Sequence, residues 1–506
     1  MDVRAASGNT TSLWHATIGT MERTPLEGDA RADVCVVGAG LAGIMTAYLL
    51  TRAGRRVIVL DDGPVGGGET GRTTAHLSDA LDDGYVELER LHGAGGARLA
   101  AHSHRLAIDL LARIAEEEAI ECGFRWVDGY LFASEASGDG DLTEELEAAL
   151  RAGVPVERAD SPPYAPFGSR PSLRFSRQAR FHPLQFLAGL TRRLEEQGGR
   201  IYTGTHVRRV RGGSPVRVET DAEQTVLASA CVVATNSPIS DHVVTHAKQA
   251  PYRTFAVALP VPKESVPDAL YWEDADPYIY IRLQHGDTHD WLIVGGEDYK
   301  TGQKDDDAER LDRLESWTRE RFPMAGPAEH CWSGQVMEPS DGLAFIGPNP
   351  DGADNVYIVT GDSGHGMTHA TIGGMVLTDL ILGRENPWVE LYDPKRVTVR
   401  AARALAKETL NVAAQYTAWV LPGDASSKEA LPPGEGRVVR RGTKMVAVYC
   451  DPDGRTHERS AVCTHLKCIV NWNHLEASWD CPCHGSRFDP YGKVLNGPAS
   501  EPLKDV

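Results

Sequence analysis

"DVCVVGAGLAGIMTAYLLTRAGRRVIVLDD", Asp33 to Asp62, decides how this chain begins to fold. An apolar strand enters a glycine-rich turn, a helical stretch follows, and a second apolar strand ends at Asp61. Each glycine meets a separate demand. Gly38 permits the tight turn, Gly40 lets a pyrophosphate approach the backbone, and Gly43 lets helix and strand pack closely, with the helix N-terminus facing the phosphates. The Asp61 carboxylate stands where a ribose hydroxyl would be bound. Three glycines alone would be weak evidence; strand context, spacing and terminal acid together define a dinucleotide-binding βαβ unit.

Working outward, 506 residues are long for one core, so two or three domains are expected. A formal charge of -19 argues against a nucleic-acid partner, because neutralising phosphates requires a basic face. No apolar run approaches bilayer length, and the opening "MDVRAASGNTTSLWH" has no basic patch before an apolar core. The expectation is therefore no membrane span and a cytoplasmic location. Of nine cysteines, Cys35, Cys122, Cys231 and Cys331 are scattered, whereas five fall between Cys450 and Cys483. Something local is built there.

Past the first fingerprint come "GGGETGRTTAHLS" (Gly66 to Ser78), "GGRIYTGTHVRRV" and "ASACVVATNSPI". Then "DGLAFIGPNPDGADNVYIVTGDSGHGMTHATIGGMVLTDLILG" (Asp341 to Gly383) carries a strand, a second glycine-rich turn and a helix. In this order the segments resemble the glycine oxidase and D-amino-acid oxidase superfamily of flavoproteins over roughly residues 30 to 390. The resemblance implies FAD, with Gly38, Gly40, Gly43 and Asp61 holding its adenosine and pyrophosphate. It further implies Arg72, Thr73 and Thr74 along the pyrophosphate or ring, Val207 on the adenine side, and Gly361, Gly364, Gly366 and Met367 around the flavin ring. An α+β substrate domain is expected as an insertion over about 80–175 and 245–330, leaving about 30–80, 176–245 and 330–390 to FAD. In "YIYIRLQ" the strand alternation sets Tyr278, Tyr280 and Arg282 on one face, where Arg282 could pair with a substrate carboxylate. An ordinary half-exposed strand gives the same pattern. His76, Tyr252 and Arg253 are weaker candidates.

After Gly383 the pattern changes, and the first domain is taken to end at residue 395. Val397, Ala401, Leu405, Thr409, Val412, Tyr416 and Val420 recur at helical spacing, predicting an amphipathic packing helix. "LPGDASSKEALPPGEGRVV" has linker composition, so 396–432 reads as helix and linker and 433–506 as a separate domain. There "CTHLKC" (Cys463 to Cys468) and "CPCHGS" (Cys481 to Ser486) offer two thiolates and two imidazoles on two loops, a set suited to a 2Fe-2S cluster or to zinc. Zinc knuckles rarely carry the additional Cys468 and Cys483. The stretches "CTHLKCIVNWN" and "CPCHGSRFDPYGKVLNGPA" strongly resemble Rieske proteins of the cytochrome b6f and bc1 type. That resemblance implies Cys463 and Cys481 on one iron, His465 and His484 on the other, and a Cys468–Cys483 disulfide. Ser486 matches a serine that hydrogen-bonds a cluster sulfur, whereas Phe488 replaces a second donor. The expected potential lies within about -150 to +300 mV, below the highest members.

Two other patterns compete for residues of the flavin part. Asp362, His365 and His369 imitate the D-x2-H-x3-H spacing of mononuclear iron oxygenases, but the flavin turn accounts for the same residues. Cys331 reads as a buried structural thiol. The fold class expected is α/β plus all-β: a Rossmann-like FAD-binding domain with an inserted substrate domain, then a small antiparallel β Rieske domain. The activity expected is FAD-dependent oxidation of a C–N bond in an amine or amino acid, with the cluster relaying electrons, a protein carrier being a further partner. The alternatives are a flavin/Rieske electron-transfer protein without an organic substrate and a Rieske-type oxygenase.

Overall fold

The apolar run around Val34 folds as strand Ala30–Val37 between two parallel neighbours, Thr225–Val233 and Val57–Leu60, and its second half, residues 34–37, is buried on both faces, as in a parallel sheet covered on both sides. The computed structural model describes residues 8–133, 139–239, 245–275, 278–398, 402–419 and 431–506. Around this strand an eight-stranded sheet runs from Phe345–Pro348 through Val356–Thr360, Thr225–Val233, Ala30–Val37 and Val57–Leu60 to Arg200–Tyr202, with the hairpin Val207–Arg211/Val216–Thr220 attached. Helices Leu41–Arg52 and Gly366–Leu382, each following a glycine-rich turn, pack against one another. A Cβ on Gly374 would stand 2.6 Å from the Met45 side chain, so the close crossing requires glycine.

A second, nine-stranded sheet carries the inserted domain, with Gln249–Val261, Asp290–Lys300 and Ile279–His285 antiparallel at its centre. This sheet runs past the expected domain edges. His76–Leu77, the whole of Ser172–Arg180 and His330–Pro339 pair within it, so the domain takes in residues assigned from sequence to the FAD-binding part. Partner strands far apart in sequence set these edges, and a local pattern carries no trace of them.

The C-terminal domain has its own core around Val446-flanking strands Gly436–Arg441, Lys444–Cys450 and Thr456–Ser460, and a four-stranded sheet from Asn471–Asn473 to Val494–Asn496. It is seated on the flavin half through buried ion pairs. Arg72 Nη1 reaches Glu476 Oε1 at 3.0 Å and Arg253 Nη2 reaches Asp480 Oδ2 at 3.1 Å across the seam, while within the C-terminal domain Arg487 Nε steadies Asp480 Oδ1 at 3.1 Å; every one of these side chains is at most 1% exposed. Between the halves, helix Ala402–Gln415 and the turn Tyr416–Trp419 form a strap. Of the predicted amphipathic series, Ala401 and Val420 lie outside the described residues, as does linker 421–430. Among the described residues no helix is long and apolar enough to cross a membrane.

Candidate functional site

One cavity of about 310 Å³ runs from the first glycine-rich turn to the second. At one end Gly38 has φ +108°, and a Cβ there would lie 2.3 Å from the Ala234 carbonyl oxygen; a Cβ on Gly43 would lie 1.9 Å from that of Gly38. The turn is therefore a cradle that only glycine can line. Asp61 accepts from Ala39 N–H at 2.6 Å and from Gly63 N–H at 2.8 Å, and burial, then neighbouring Asp62, raises its pKa to about 7. Val207, Thr73 and Thr74 line the same space. At the other end Gly361 (φ +75°) and Gly364 (φ +69°) bend the backbone into helix Gly366–Leu382, and Met367 closes the wall. Cradle, acid and elongated cavity fit FAD, and these residues would hold it. Val494–Gly497 and Ala499 of the C-terminal domain complete the lining.

Beyond the second turn, Tyr278 and Tyr280 project into the cavity with Asp82, Asp298, Glu338 and His365. Tyr280 Oη shares a 3.0 Å hydrogen bond with Thr254 Oγ1, and His365 Nε2 meets Asp82 Oδ1 at 3.0 Å. His76 lies edge-on to Tyr280, and burial, then Arg282, lowers its pKa to about 3. Its Nε2 donates to the Ile281 carbonyl at 3.2 Å and its Nδ1 meets Thr74 Oγ1 at 3.1 Å. With both nitrogens engaged, His76 orients the wall; it is not placed as a free base.

The sequence-predicted arginines have other work. Arg282 lies outside the cavity lining, fully buried, donating to the carbonyls of Thr74, Ala75 and Phe181 at 3.2, 2.8 and 3.0 Å. A guanidinium so enclosed must satisfy its donors internally, so it shapes the Thr74–Ala75 turn and does not meet a substrate carboxylate. Arg72 lines the cavity, yet its fork is held by Thr10, Ser333 and Glu476. Arg253 donates to Ser333 Oγ at 2.6 Å and to Asp480. Tyr252 lies under the Lys300 ammonium. Asp362, His365 and His369 do not converge: His365 turns to Asp82, while His369 bonds the Asp362 carbonyl at 2.9 Å and His104 at 3.2 Å.

At the C-terminal loops Cys468 and Cys483 form a disulfide, which removes them as thiolate donors. Cys463 and Cys481 are buried free thiols hydrogen-bonded to one another, and Ser486 also bonds Cys463. The imidazoles of His465 and His484 face each other with centroids 5.1 Å apart. His484 Nδ1 is buried with no hydrogen-bond partner, the state of a nitrogen awaiting a metal. This donor set fits a 2Fe-2S cluster with Cys463, Cys481, His465 and His484 as its ligands. Sequence reasoning missed His246, whose ring packs 5.1 Å from His465 and 6.2 Å from His484, and Gln335, which joins the two sites. Neither carries a local motif; tertiary folding alone brings them in.

Comparison with known proteins agrees with this geometry. Residues 33–380 match the FAD dependent oxidoreductase family (DAO), and residues 423–506 match the Rieske [2Fe-2S] domain. The Rieske 2Fe-2S iron-sulfur protein YhfW of Bacillus subtilis (strain 168) is 30% identical over 98% of this chain and 97% of its own length. Glycine oxidase from Geobacillus kaustophilus superposes with a TM-score of 0.60 at 18% identity, covering 73% of this chain and 99% of its own. L-amino acid deaminase from Proteus vulgaris does so with a TM-score of 0.61 at 15% identity, covering 74% and 100%. These structural likenesses concern the fold.

Proposed function

Because the chain belongs to the FAD dependent oxidoreductase family and carries a Rieske [2Fe-2S] domain, we propose that it oxidises a C–N bond of an amine or amino acid and relays the electrons to its cluster. The two structural neighbours are named for chemistry at amino groups, which supports the bond assigned. One observation carries the relay. Gln335 lines the cofactor cavity, and its side-chain amide donates to the Gly485 carbonyl at 3.0 Å, one residue from His484. When bound, FAD supplies a two-electron acceptor that can pass electrons on singly.

The chain's own residues do the rest. Tyr278 and Tyr280 wall the substrate end, Thr254 fixes the Tyr280 hydroxyl, and His76 holds the turn at Thr74. His246 of the flavin half packs beside both imidazoles, but His484 is 7% exposed whereas His465 is only partly covered. An outgoing carrier would therefore meet the cluster at His465. The test is anaerobic titration of iron-replete protein with amines and amino acids, reading flavin absorbance and cluster EPR together. Bleaching followed by a growing Rieske signal is expected. If no compound bleaches the flavin while chemical reductant still develops the signal, an electron-transfer protein without organic substrate takes the place of this reading.

A further inference from the structure

An α-amino acid brings a carboxylate that must be paired inside the cavity. Among the described lining residues, Arg72 is the only arginine or lysine, and its guanidinium is committed to Glu476, Thr10 and the Ser333 carbonyl. A lining imidazole at the substrate end, His365, is paired with Asp82. The acids are in surplus. Asp62 pairs with His206, Glu69 accepts from Gln335 N–H and Asn496, and Asp362 accepts from Met337 N–H. With Asp61 accepting from Ala39 and Gly63 N–H and Asp82 paired with His365, that leaves Asp298 and Glu338 at the end lined by Tyr278, Tyr280 and Trp272. Asp298 Oδ1 is buried there without a hydrogen-bond partner, and Glu338 has Ser363 Oγ at 2.9 Å.

We infer that the substrate end takes a cationic amine lacking a carboxylate, its ammonium held by Asp298 and Glu338 and its carbon chain by the tyrosine and tryptophan rings. This rests on the C–N oxidation proposed above and narrows its substrate class. A carboxylate brought here would lose its hydration and meet like charge, whereas an ammonium restores a partner to an orphaned oxygen and gains the ring faces. In keeping with that, burial, opposed by a hydrogen bond from Thr254 and reinforced by the neighbouring acid Asp82, raises the Asp298 pKa to about 7, and burial, then Asp83 and Asp362, raises that of Glu338 well above the usual carboxylate range.

The test compares two ligands of one shape in the FAD-loaded, full-length protein by calorimetry. tert-Butylammonium has no hydrogen on the carbon bearing nitrogen and cannot be oxidised; pivalate puts a carboxylate in the same place. The ammonium is expected to bind at least tenfold more tightly than pivalate, and D298N to remove at least tenfold of that affinity, with E338Q as a second variant. Equal or tighter binding of pivalate, or binding of neither, overturns the inference. An anaerobic flavin-reduction panel of putrescine, benzylamine, glycine and proline separates the two levels. Reduction by the amines alone supports both; reduction by the amino acids alone overturns this inference and leaves C–N oxidation standing; reduction by none overturns C–N oxidation itself.

Discussion

At the scale of single residues, the cofactor cradle depends on atoms that are missing. Gly43→Ala would drive a Cβ to 1.9 Å from the Gly38 carbonyl oxygen, and the purified variant is expected to lose most bound FAD, read from its flavin absorbance. At the other cofactor, the Ser486 hydroxyl bonds Cys463 while accepting from Ala499 N–H at 3.0 Å. A hydrogen bond to a charged group is worth about 1.5 kcal/mol, which for one electron is about 65 mV. Ser486→Ala should therefore lower the cluster potential by about that amount in a redox titration followed by EPR; an unchanged potential would place the hydroxyl outside the cluster's field. These residues could be recognised from the chain alone because glycine spacing and the paired Cys-x-His and Cys-x-x-His loops are local patterns. Arg72, Arg253 and Arg282 could not. Whether a buried guanidinium meets a ligand or an internal acceptor depends on partners as distant as Glu476 and Asp480.

Among elements, the strap between the halves was visible as an amphipathic series but not in its purpose. Helix Ala402–Gln415 is fastened to the inserted domain by the Lys300–Glu408 ion pair and by Gln303 to Asn411 at 2.8 Å. The turn that follows fastens to the cluster loop: Tyr416 Oη donates to the Leu466 carbonyl at 2.6 Å and Trp419 Nε1 to that of Lys467 at 3.0 Å. Trp419 also packs on the C-terminal core. Its replacement by alanine removes both, and a destabilisation of about 1–2 kcal/mol is expected. The direct readout is faster loss of the cluster's EPR signal under an iron chelator. The sheet boundaries were hidden for a related reason: His76–Leu77 contributes only two residues to its sheet, too few for periodicity to register.

For the whole molecule, the two halves are held by charge buried in their seam. Burial alone would raise the Glu476 pKa, but Arg72, Arg487 and Arg253 overcome it and hold the carboxyl well below its usual range; Arg487 and Arg253 likewise lower that of Asp480 against its burial. Both acids are thus depressed in the folded state. Their contribution is complete above the unfolded value of about 4 and is lost as pH falls toward the folded values. Seating of the cluster domain should weaken progressively below about pH 4, seen as a falling midpoint in thermal unfolding, with a plateau near neutrality. Glu476→Gln leaves Arg72 buried without its counter-charge and should cost about 3–5 kcal/mol in denaturant unfolding. A last consequence is chronological. Since residues 494–497 and 499 complete the wall of the flavin chamber, a seated cluster domain should obstruct the way in, and maturation is expected to run flavin first, closure second. FAD added to protein whose C-terminal domain is already seated should enter more slowly than FAD added during refolding, and equal rates would show that the seated domain does not govern entry.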